Sequence, residues 1–552
     1  MFNKLRKLTA ASVILANLLF VISVSAQKSN GSGAGASAGK FGNVEAINAR
    51  QLRDWLTYIA SDELEGRDTP SKGLDLAAKY IAEHLNKLGI KPAGDEGTYF
   101  QKFPLRQSKI IAKGTKLSFN GQQFEYGADF LTSLNPAEIA GSGLVFAGNG
   151  WVIKSKNINP YQGIDVKDKI VIVSNTLPKG VTFGDLKGPI GDDWMSPPYY
   201  AQMNGAKAVI TFASFNNLAN WEGTKWNQSD KGAVQFGEQK SVLTIPSISA
   251  TPRLLSALFQ GEKLTGGNLF VKAVSGEPLE SFNLKAEKRV SVSVAVKTEI
   301  VHTQNVVGIL EGSDPVLKNE YVAVGAHYDH VGMNPFAIGP DKIYNGADDD
   351  GSGTVTVMGI AEAFAKGPKP KRSILFIWHA GEEKGLWGSE YYSNHPTVPI
   401  SSIVTQLNID MVGRAQNASD IAAAKNKNLP KSGEVYLIGS KMMSTELGEV
   451  SESVNKSFLN MSFNYKYDDP KDPEQFFYRS DHFNYARKGI PIIFFMDGDH
   501  DDYHQLSDSV EKIDFENMEK IGRTIMATGW ELANRPTRVK VDKPLPANVT
   551  QN

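Results

Sequence analysis

Short apolar runs that end at acidic residues or histidines dominate the second half of this 552-residue chain. From about residue 286 these runs alternate with segments of helical periodicity, among them residues 354–365 and 515–532. Short uninterrupted apolar runs are typical of strands that are buried on both faces, and their alternation with helices is typical of α/β folds. The chain therefore predicts an α/β fold in which a mixed central sheet carries helices on both faces.

The apolar runs deliver polar side chains to one edge of this sheet. The run YVAVGAH ends at His327, RSILFIWHAG leads to Glu382 and Glu383, IVTQLNID ends at Asp410, and IPIIFFMD precedes His504. In open α/β sheets, functional sites form in the crevice beyond the carboxyl ends of the strands. We therefore expect separate strands to bring these side chains to one place.

A metal centre is the chemistry that these residue types favour. Asp349 comes from the loop NGADDDGSG and joins His327, Glu383, Asp410 and His504 in a set of two imidazoles and three carboxylates. Such a set suits zinc, and it also suits cobalt or manganese. Five ligands are too many for one catalytic tetrahedral site, but they fit two metal ions that share a bridging carboxylate.

The ordered motifs resemble a known family, the co-catalytic di-zinc exopeptidases. These are the bacterial aminopeptidases and the glutamate carboxypeptidases of metallopeptidase family 28. The motifs are GAHYD, NGADDDGSG, HAGEEKGLWGS, LNIDMVG, SDHF and YHQLSD, and the resemblance covers residues 45–125 and 286–535. It implies the zinc-exopeptidase fold, which is similar to phosphorylase/hydrolase folds, and peptides as substrates.

The resemblance also implies how the five ligands divide between two zinc ions. His327 and Asp410 would hold one ion, Glu383 and His504 would hold the other, and Asp349 would bridge them. His500 lies close to His504 in MDGDHDDYH and is the main rival for the last ligand position. The match to YHQLSD favours His504.

Five further side chains are candidates for roles around the metals. The resemblance implies that Glu382 is the general base for a water that bridges the metals, and that Tyr503 helps to stabilise the oxyanion. Asp329 and Asp508 are candidates for orienting the ligating histidines, although a turn or helix N-cap is the alternative for Asp508. Arg479 is a candidate for binding a substrate carbonyl or terminal carboxylate.

The predicted function is therefore that of an exopeptidase, with an aminopeptidase first. A carboxypeptidase or dipeptidase of the same family is an alternative. So is a glutaminyl cyclase, which has the same scaffold but one zinc ion, and so is a binding protein that has lost catalysis. All five ligands and the general base are present in this chain, which argues against the last two.

The sequence pattern of residues 130–285 differs from that of the rest of the chain. Strand-like runs (GLVFAG, KIVIVSN, AVITF and SVLTIP) alternate with loops, and one helix is predicted at residues 200–204. This pattern predicts a mostly-β insert, which resembles a protease-associated domain. We expect it to interrupt a peptidase domain formed by residues 45–129 and 286–540, with a tail over 541–552.

The first residues predict export. A basic segment precedes an apolar stretch that ends in Val-Ser-Ala, so residues 1–26 are predicted to be a signal peptide; an uncleaved membrane anchor is the alternative. A Gly/Ser-rich linker is predicted for residues 27–44. The chain has no cysteine, which favours a bacterial periplasmic or secreted protein without stable membrane association after cleavage. The formal net charge of −1 gives no indication of nucleic-acid binding, and the sequence does not indicate an oligomeric state.

Overall fold

The computed structural model describes residues 39–238, 243–545 and 549. The predicted signal peptide at residues 1–26 lies outside the described residues, as do residues 27–38 of the predicted linker and residues 546–548 and 550–552 of the predicted tail. Among the helices in the described part of the chain, none combines the length and the hydropathy that a membrane span requires.

The strands follow one another along the whole described chain. In chain order they are β1 (Lys91–Pro92), β2 (Phe100–Ile110), β3 (Lys116–Phe119), β4 (Gln122–Glu125), β5 (Phe130–Thr132), β6 (Ala137–Ser142), β7 (Leu144–Phe146), β8 (Val152–Ile153), β9 (Ile170–Val173), β10 (Trp194–Met195), β11 (Ala208–Phe212), β12 (Ala233–Phe236), β13 (Ser247–Ala250), β14 (Phe282–Asn283), β15 (Val290–Val294), β16 (Val296–Leu310), β17 (Tyr321–His327), β18 (Ser373–His379), β19 (Ile403–Ile409), β20 (Glu434–Ile438), β21 (Ser462–Asn464) and β22 (Ile492–Met496).

The helices cluster before, between and after these strands. In chain order they are α1 (Ala49–Ile59), α2 (Lys72–Lys87), α3 (Pro197–Met203), α4 (Phe215–Ala219), α5 (Trp221–Ser229), α6 (Pro252–Leu258), α7 (Gly266–Ser275), α8 (Gly353–Ala365), α9 (Trp387–Asn394), α10 (Ala418–Ala423), α11 (Thr445–Ser457), α12 (His482–Arg487) and α13 (Phe515–Asn534).

A central mixed sheet organises the molecule. Its strand order is β12-β2-β16-β18-β17-β19-β22-β20-β21, and β1 pairs with β16. The neighbours β18, β17, β19 and β22 run parallel to one another, whereas β16 pairs antiparallel with β18, and β20 pairs antiparallel with β22. The carboxyl ends of the four parallel strands therefore meet at one edge, where the candidate site lies.

Both faces of this sheet are covered by helices, as the sequence predicted. Successive residues of a strand point to opposite faces, so Phe376 packs into one core and Ile377 into the other. The first core includes apolar residues of α1, α2, α8 and α13, and the second includes residues of α9 and α12. The two layers bury β18 completely, which explains why its sequence is continuously apolar.

The middle of the chain forms three further sheets. The two larger ones share a core of their own, and their strand orders are β14-β7-β9-β11-β13-β5 and β4-β3-β15-β6; β8 and β10 form the third. β3 and β4 precede residue 130 and β15 follows residue 285, so this body begins and ends outside the predicted insert boundaries. One strand of the middle segment, β12, instead pairs with β2 of the central sheet. The predicted division into domains stays a prediction.

The middle segment also contains more helix than the sequence indicated. One helix was predicted at residues 200–204, and α3 occupies that region, but α4, α5, α6 and α7 were not predicted. These four helices are short, and Trp221 is the only buried residue of α5. α4 and α5 are largely polar, so no helical periodicity marks them in the sequence. The predicted strand SVLTIP is not observed: residues 243–246 are irregular, and 241–242 lie outside the described residues.

Candidate metal centre

The five predicted metal ligands come together beyond the carboxyl ends of the parallel strands. His327 is the last residue of β17, and Asp410 directly follows β19. Asp349 lies in the turn before α8, Glu383 lies in the turn after β18, and His504 lies in the loop after β22. Their carboxylate and imidazole atoms form two groups that share Asp349.

The first group contains His327, Asp349 and Asp410. Nε2 of His327 lies 3.3 Å from Asp349 Oδ1 and 3.4 Å from Asp410 Oδ1. Nδ1 of His327 lies 3.1 Å from the backbone carbonyl of Asp329, so a proton on Nδ1 leaves the Nε2 lone pair facing the two carboxylates. Burial lowers the pKa of His327, but Asp410 and the other surrounding carboxylates raise it well above its usual value. The pocket therefore attracts a cation.

The second group contains His504, Glu383, Asp349 and a residue that the sequence analysis missed, His330. Nε2 of His504 lies 3.1 Å from Asp349 Oδ2 and 2.9 Å from Glu383 Oε2. Nδ1 of His330 lies 2.8 Å from Glu383 Oε1 and 3.6 Å from Asp349 Oδ2. The signal for His330 was its position three residues after His327 in GAHYDH.

His504 rather than His500 occupies the position near Asp349 and Glu383. The ring of Tyr503 stacks on that of His504 with a centroid distance of 3.9 Å. Burial lowers the pKa of His504, but its contacts with Asp349 and Glu383 raise it to about 10. His500 instead contacts Asp348, with Nε2 3.1 Å from Oδ2, and belongs to neither of the two groups found among the described residues.

The three consecutive aspartates have different contacts. Only Asp349 belongs to both groups. Asp348 Oδ1 accepts a hydrogen bond from the backbone N–H of Gly413 at 2.7 Å. The carboxylate of Asp350 accepts hydrogen bonds from the backbone N–H of His327, at 3.2 Å, and of Met411, at 3.1 Å. Asp350 thus ties the ends of β17 and β19 together beneath the site.

Asp508 lies close to the site, but it orients a carboxylate ligand rather than a histidine. Its carboxylate accepts hydrogen bonds from the backbone N–H groups of Asp348 and Asp349, each at 3.1 Å. The predicted contact between Asp508 and a ligating histidine is not among its hydrogen bonds. Its effect is to hold the backbone of Asp349, the residue that both groups share.

Asp329 connects the first group to the turn that carries Glu382. Its Oδ2 accepts a hydrogen bond from Thr69 Oγ1 at 3.1 Å, and its Oδ1 accepts one from the backbone N–H of Glu382 at 3.2 Å. The carboxylate is 3.6 Å from His327 Nδ1, farther than the Asp329 carbonyl. Asp329 therefore positions the ring of His327 through its backbone and Glu382 through its side chain.

Asp410 is held by a chain of hydrogen bonds that the sequence did not reveal. Ser480 Oγ donates to Asp410 Oδ2 at 2.6 Å, and Asn408 Nδ2 donates to Ser480 Oγ at 2.9 Å. Gln406 Nε2 in turn donates to Asn408 Oδ1 at 3.0 Å. With Oδ2 engaged in this way, Oδ1 of Asp410 faces His327.

Glu382 lines a small cavity that opens onto the first group. The other residues lining this cavity are Asp349, Asp410, Met411, Phe476, Arg479, Phe494, Met496, Asp499 and Tyr503. Oε2 of Glu382 is 4.0 Å from His327 Nε2. Burial raises the pKa of Glu382 well above its usual value, His327 opposes the rise, and Asp410 and Glu383 add to it. Glu382 can therefore hold a proton next to this cavity.

Tyr503 and Arg479 line the same cavity as Glu382. Burial raises the pKa of Tyr503, and the charges of Asp349 and Glu383 raise it further, so its hydroxyl stays protonated and can donate a hydrogen bond. Nη1 of Arg479 is 3.4 Å from Asp499 Oδ2. The guanidinium also lies over the ring of Phe476, 4.6 Å from its centroid. Arg479 is thus at the cavity, but it is already paired with an acidic residue.

Arg67 is a second residue that sequence reasoning missed. It is fully buried, and its guanidinium donates hydrogen bonds to four backbone carbonyls, those of Ile59, Tyr328, Asn345 and Gly346. These carbonyls belong to the end of α1 and to the loops that carry His327 and Asp349. The charges of Asp329, Asp349, Asp350 and Asp508 also favour the guanidinium in this position. No motif in the sequence marked it.

Replacing Arg67 by alanine is expected to lower the free energy of unfolding by about 3–5 kcal/mol, because it leaves buried carbonyls unpaired and removes a buried charge that balances carboxylates. Urea unfolding measures this change. Arg50→Ala, at an exposed position of α1, is the control and should stay within about 0.5 kcal/mol of the parent. An Arg67→Ala protein as stable as the control would show that the guanidinium is not needed to hold these loops.

The fold and the site together indicate a metal centre. A mixed α/β sheet carries two carboxylate–histidine groups at the carboxyl ends of its parallel strands, and such groups can hold metal ions. Residues 305–529, which carry all five predicted ligands, match the sequence profile of Peptidase family M28.

Relatives in several organisms are similar to this chain. A probable leucine aminopeptidase from Trichophyton verrucosum is 28% identical over 229 residues, which is 40% of this chain and 56% of that protein. Aminopeptidase YwaD from Bacillus subtilis is 24% identical over 348 residues, 61% of this chain and 65% of that protein. The solved structure of BSAP, a zinc aminopeptidase from Bacillus subtilis, aligns with 90% of this chain and 98% of its own at 19% identity and a TM-score of 0.49. The chain spans about half the length of the first curated relatives that it matches.

Proposed function

We propose that this protein is an exported, zinc-dependent aminopeptidase that uses two metal ions. The observation that carries the proposal is the pair of ligand groups that share Asp349 at the edge of the central sheet. The match of residues 305–529 to Peptidase family M28 supports hydrolysis of peptide bonds. Relatives named as aminopeptidases or as zinc metalloproteases support the reaction class and the metal.

The atoms in the two groups fit zinc. Asp349 Oδ2, Glu383 Oε1 and His504 Nε2 are buried, and none of them has a hydrogen-bond partner among the described residues. Buried polar atoms without partners are costly, and a shared cation satisfies them together. His327 and Asp410 would hold one zinc ion, Glu383 and His504 the other, and Asp349 both. When bound, such ions polarise a carbonyl and lower the pKa of water toward neutrality.

The side chains around the groups supply the remaining steps. Glu382 lies at the cavity with a raised pKa, so it can accept a proton from the attacking water and deliver it to the leaving amine. The hydroxyl of Tyr503 can donate a hydrogen bond to the oxyanion that forms on the scissile carbonyl. Asp329 and Asp508 orient Glu382 and Asp349 through the hydrogen bonds described above.

The charges at the cavity favour an amino-terminal substrate end over a carboxyl-terminal one. A carboxypeptidase needs a free cation for the terminal carboxylate, but Arg479 is paired with Asp499. Glu382 and Asp499 also line this cavity and would repel a carboxylate. A free amino group meets no such repulsion. Arg479 therefore serves, in this proposal, to hold Asp499 and to contact substrate carbonyls.

Export and the role of the middle segment belong to the same proposal. The basic and apolar pattern of residues 1–26 and the absence of cysteine in the sequence support a periplasmic or secreted peptidase of bacterial type. The middle segment contacts the peptidase part near the site: Nζ of Lys231 is 2.6 Å from Asp68 Oδ2, next to Arg67. We propose that this segment, similar to a protease-associated domain, limits access to the cavity.

A peptide panel tests the proposed function. We expect the purified protein to release the first residue of di- to pentapeptides with free amino termini and to leave the same peptides intact when they are acetylated. Metal analysis of the same sample should give two zinc ions per chain. Mass spectrometry of the products identifies the cleaved end.

Other results would replace the proposal. Cleavage only at the carboxyl end would make the protein a carboxypeptidase. Cyclisation of amino-terminal glutamine with one metal per chain would make it a glutaminyl cyclase. Binding of peptides without turnover, and with metal present, would make it a binding protein.

A further inference from the structure

We propose that His330 is a metal ligand, so that the second group supplies four protein ligands and the first group supplies three. This inference rests on the proposed two-metal function and assigns the two positions unequal roles. The second position has four protein ligands, which are His330, Asp349, Glu383 and His504. The first position, formed by His327, Asp349 and Asp410, keeps room for substrate.

The distances in the second group support this assignment. His330 Nδ1 is 2.8 Å from Glu383 Oε1 and 3.6 Å from Asp349 Oδ2, and His504 Nε2 is 3.1 Å from that same Asp349 oxygen. Zinc binds nitrogen and oxygen ligands at about 2.0–2.2 Å, so ligands that share one tetrahedral ion lie roughly 3.4 Å apart. The distances of 2.8–3.6 Å between donor atoms of the second group bracket this spacing.

The hydrogen bonding of His330 independently supports its assignment as a metal ligand. The side chain is fully buried, and neither ring nitrogen has a hydrogen-bond partner among the described residues, although Nδ1 is close to Glu383 Oε1. That approach lacks the geometry of a hydrogen bond. Glu383 Oε1, Asp349 Oδ2 and His504 Nε2 are also without hydrogen-bond partners. Four unpartnered buried atoms that converge are explained by one cation at their centre.

The backbone of Gly346 packs closely against the ring of His330. A Cβ atom on Gly346 would stand 2.5 Å from Cγ of His330, so only glycine lets the ring pack here. Gly346 also has a φ of +55°, which favours glycine. The backbone N–H of His330 donates to the carbonyl of Arg67 at 3.2 Å. These contacts direct the imidazole toward Glu383 before any metal binds.

The cavity lies on the side of the first group. Asp349, Glu382 and Asp410 line it, whereas His330 does not. Structural zinc sites have four protein ligands, and catalytic ones keep an open position. The geometry therefore assigns substrate contact to the first position, while the second fixes Asp349 and the surrounding charge.

Zinc binding to three proteins tests the proposal. Isothermal titration of the metal-free parent, His330→Ala and His482→Gln is expected to show two zinc ions for the parent and for His482→Gln. His482 is equally buried but donates toward the carbonyl of Phe477 and lies outside both groups, so it controls for loss of a buried histidine. In His330→Ala one of the two ions should bind at least about 100-fold more weakly, while the other keeps its affinity.

A cobalt spectrum shows whether residue 330 touches the metal. The chain has no cysteine, so His330→Cys introduces a single thiol. With Co²⁺ bound, a thiolate ligand gives a charge-transfer band in the near ultraviolet, and this band should be present in His330→Cys and absent from the parent. This spectrum can be recorded without enzymatic activity, and it does not depend on measuring the zinc affinity of the second position.

The outcomes separate the two proposals. If the parent binds fewer than two zinc ions, the two-metal function fails. If the parent binds two, while His330→Ala also binds two at parental affinity and His330→Cys shows no band, the ligand role of His330 fails alone. His330 would then be a neighbour of Glu383 and not a ligand.

Discussion

Replacing Glu382 by glutamine is expected to lower the rate of peptide hydrolysis by about 10²–10⁴-fold, because the amide cannot carry a proton from water to the leaving amine. The change keeps the shape of the side chain, and the backbone N–H of residue 382 can still donate to Asp329. Zinc content and thermal stability should therefore stay close to those of the parent. The measurement is the steady-state rate on a free amino-terminal peptide, alongside metal analysis.

Glu390→Gln is the matched control for this substitution. Glu390 is a carboxylate on α9, eight residues farther along the chain, and it belongs to neither ligand group among the described residues. Its replacement should leave the rate within about twofold of the parent. If Glu382→Gln keeps the parental turnover number with full metal content, the general base is another group.

Replacing Asp349 by asparagine is expected to have the second large effect, the loss of both activity and metal. Asp349 Oδ1 faces His327 and Oδ2 faces His504, so one carboxylate serves both groups. An amide is neutral and directs one N–H₂ group toward a cation. We expect zinc content to fall below one ion per chain and activity to fall by at least about 10³-fold.

Asp129→Asn controls for the removal of a buried carboxylate. Asp129 is buried in the middle segment, where it pairs with Arg253 and accepts the N–H of Glu125. Its replacement is expected to reduce stability but to leave two zinc ions per chain. Two tightly bound zinc ions in Asp349→Asn would mean that the two positions do not share this residue.

Much of the central sheet could be predicted because burial on two faces leaves a clear sequence pattern. β18, β19 and β22 are buried along their whole length and β17 from Val322 onward, so each appears as an apolar run, and a polar residue directly after a run marks its carboxyl end. The candidate ligands His327 and Asp410 were predicted from this pattern, and the structure places their Nε2 and Oδ1 atoms 3.4 Å apart.

The residues that were missed depend on contacts between distant parts of the chain. Arg67 lies about 260 residues before His327, and only the folded loops show that its guanidinium fits their carbonyls. His330 lies within the motif GAHYDH, but the five predicted ligands already accounted for two metal ions, so the sequence did not require a sixth. Ser480 lies within the motif SDHF, but its hydrogen bond to Asp410 is visible only in the folded structure.

The boundaries of the middle body were difficult for the same reason. β3 pairs with β15, and the two strands are separated by well over a hundred residues. No local sequence pattern indicates that residues 116–119 and residues 290–294 belong to the same sheet. The short helices α4 and α5 present a further difficulty, because their largely polar sequences are similar to those of loops.

The side chains at this site come from distant parts of the chain, from Arg67 to Asp508. A growing polypeptide cannot assemble the centre until the segment that carries His504 and Asp508 has left the ribosome, because these residues provide a candidate ligand and the carboxylate that holds the backbone of Asp349. In the proposed function, the proteolytic capacity therefore appears only after that segment has been synthesised.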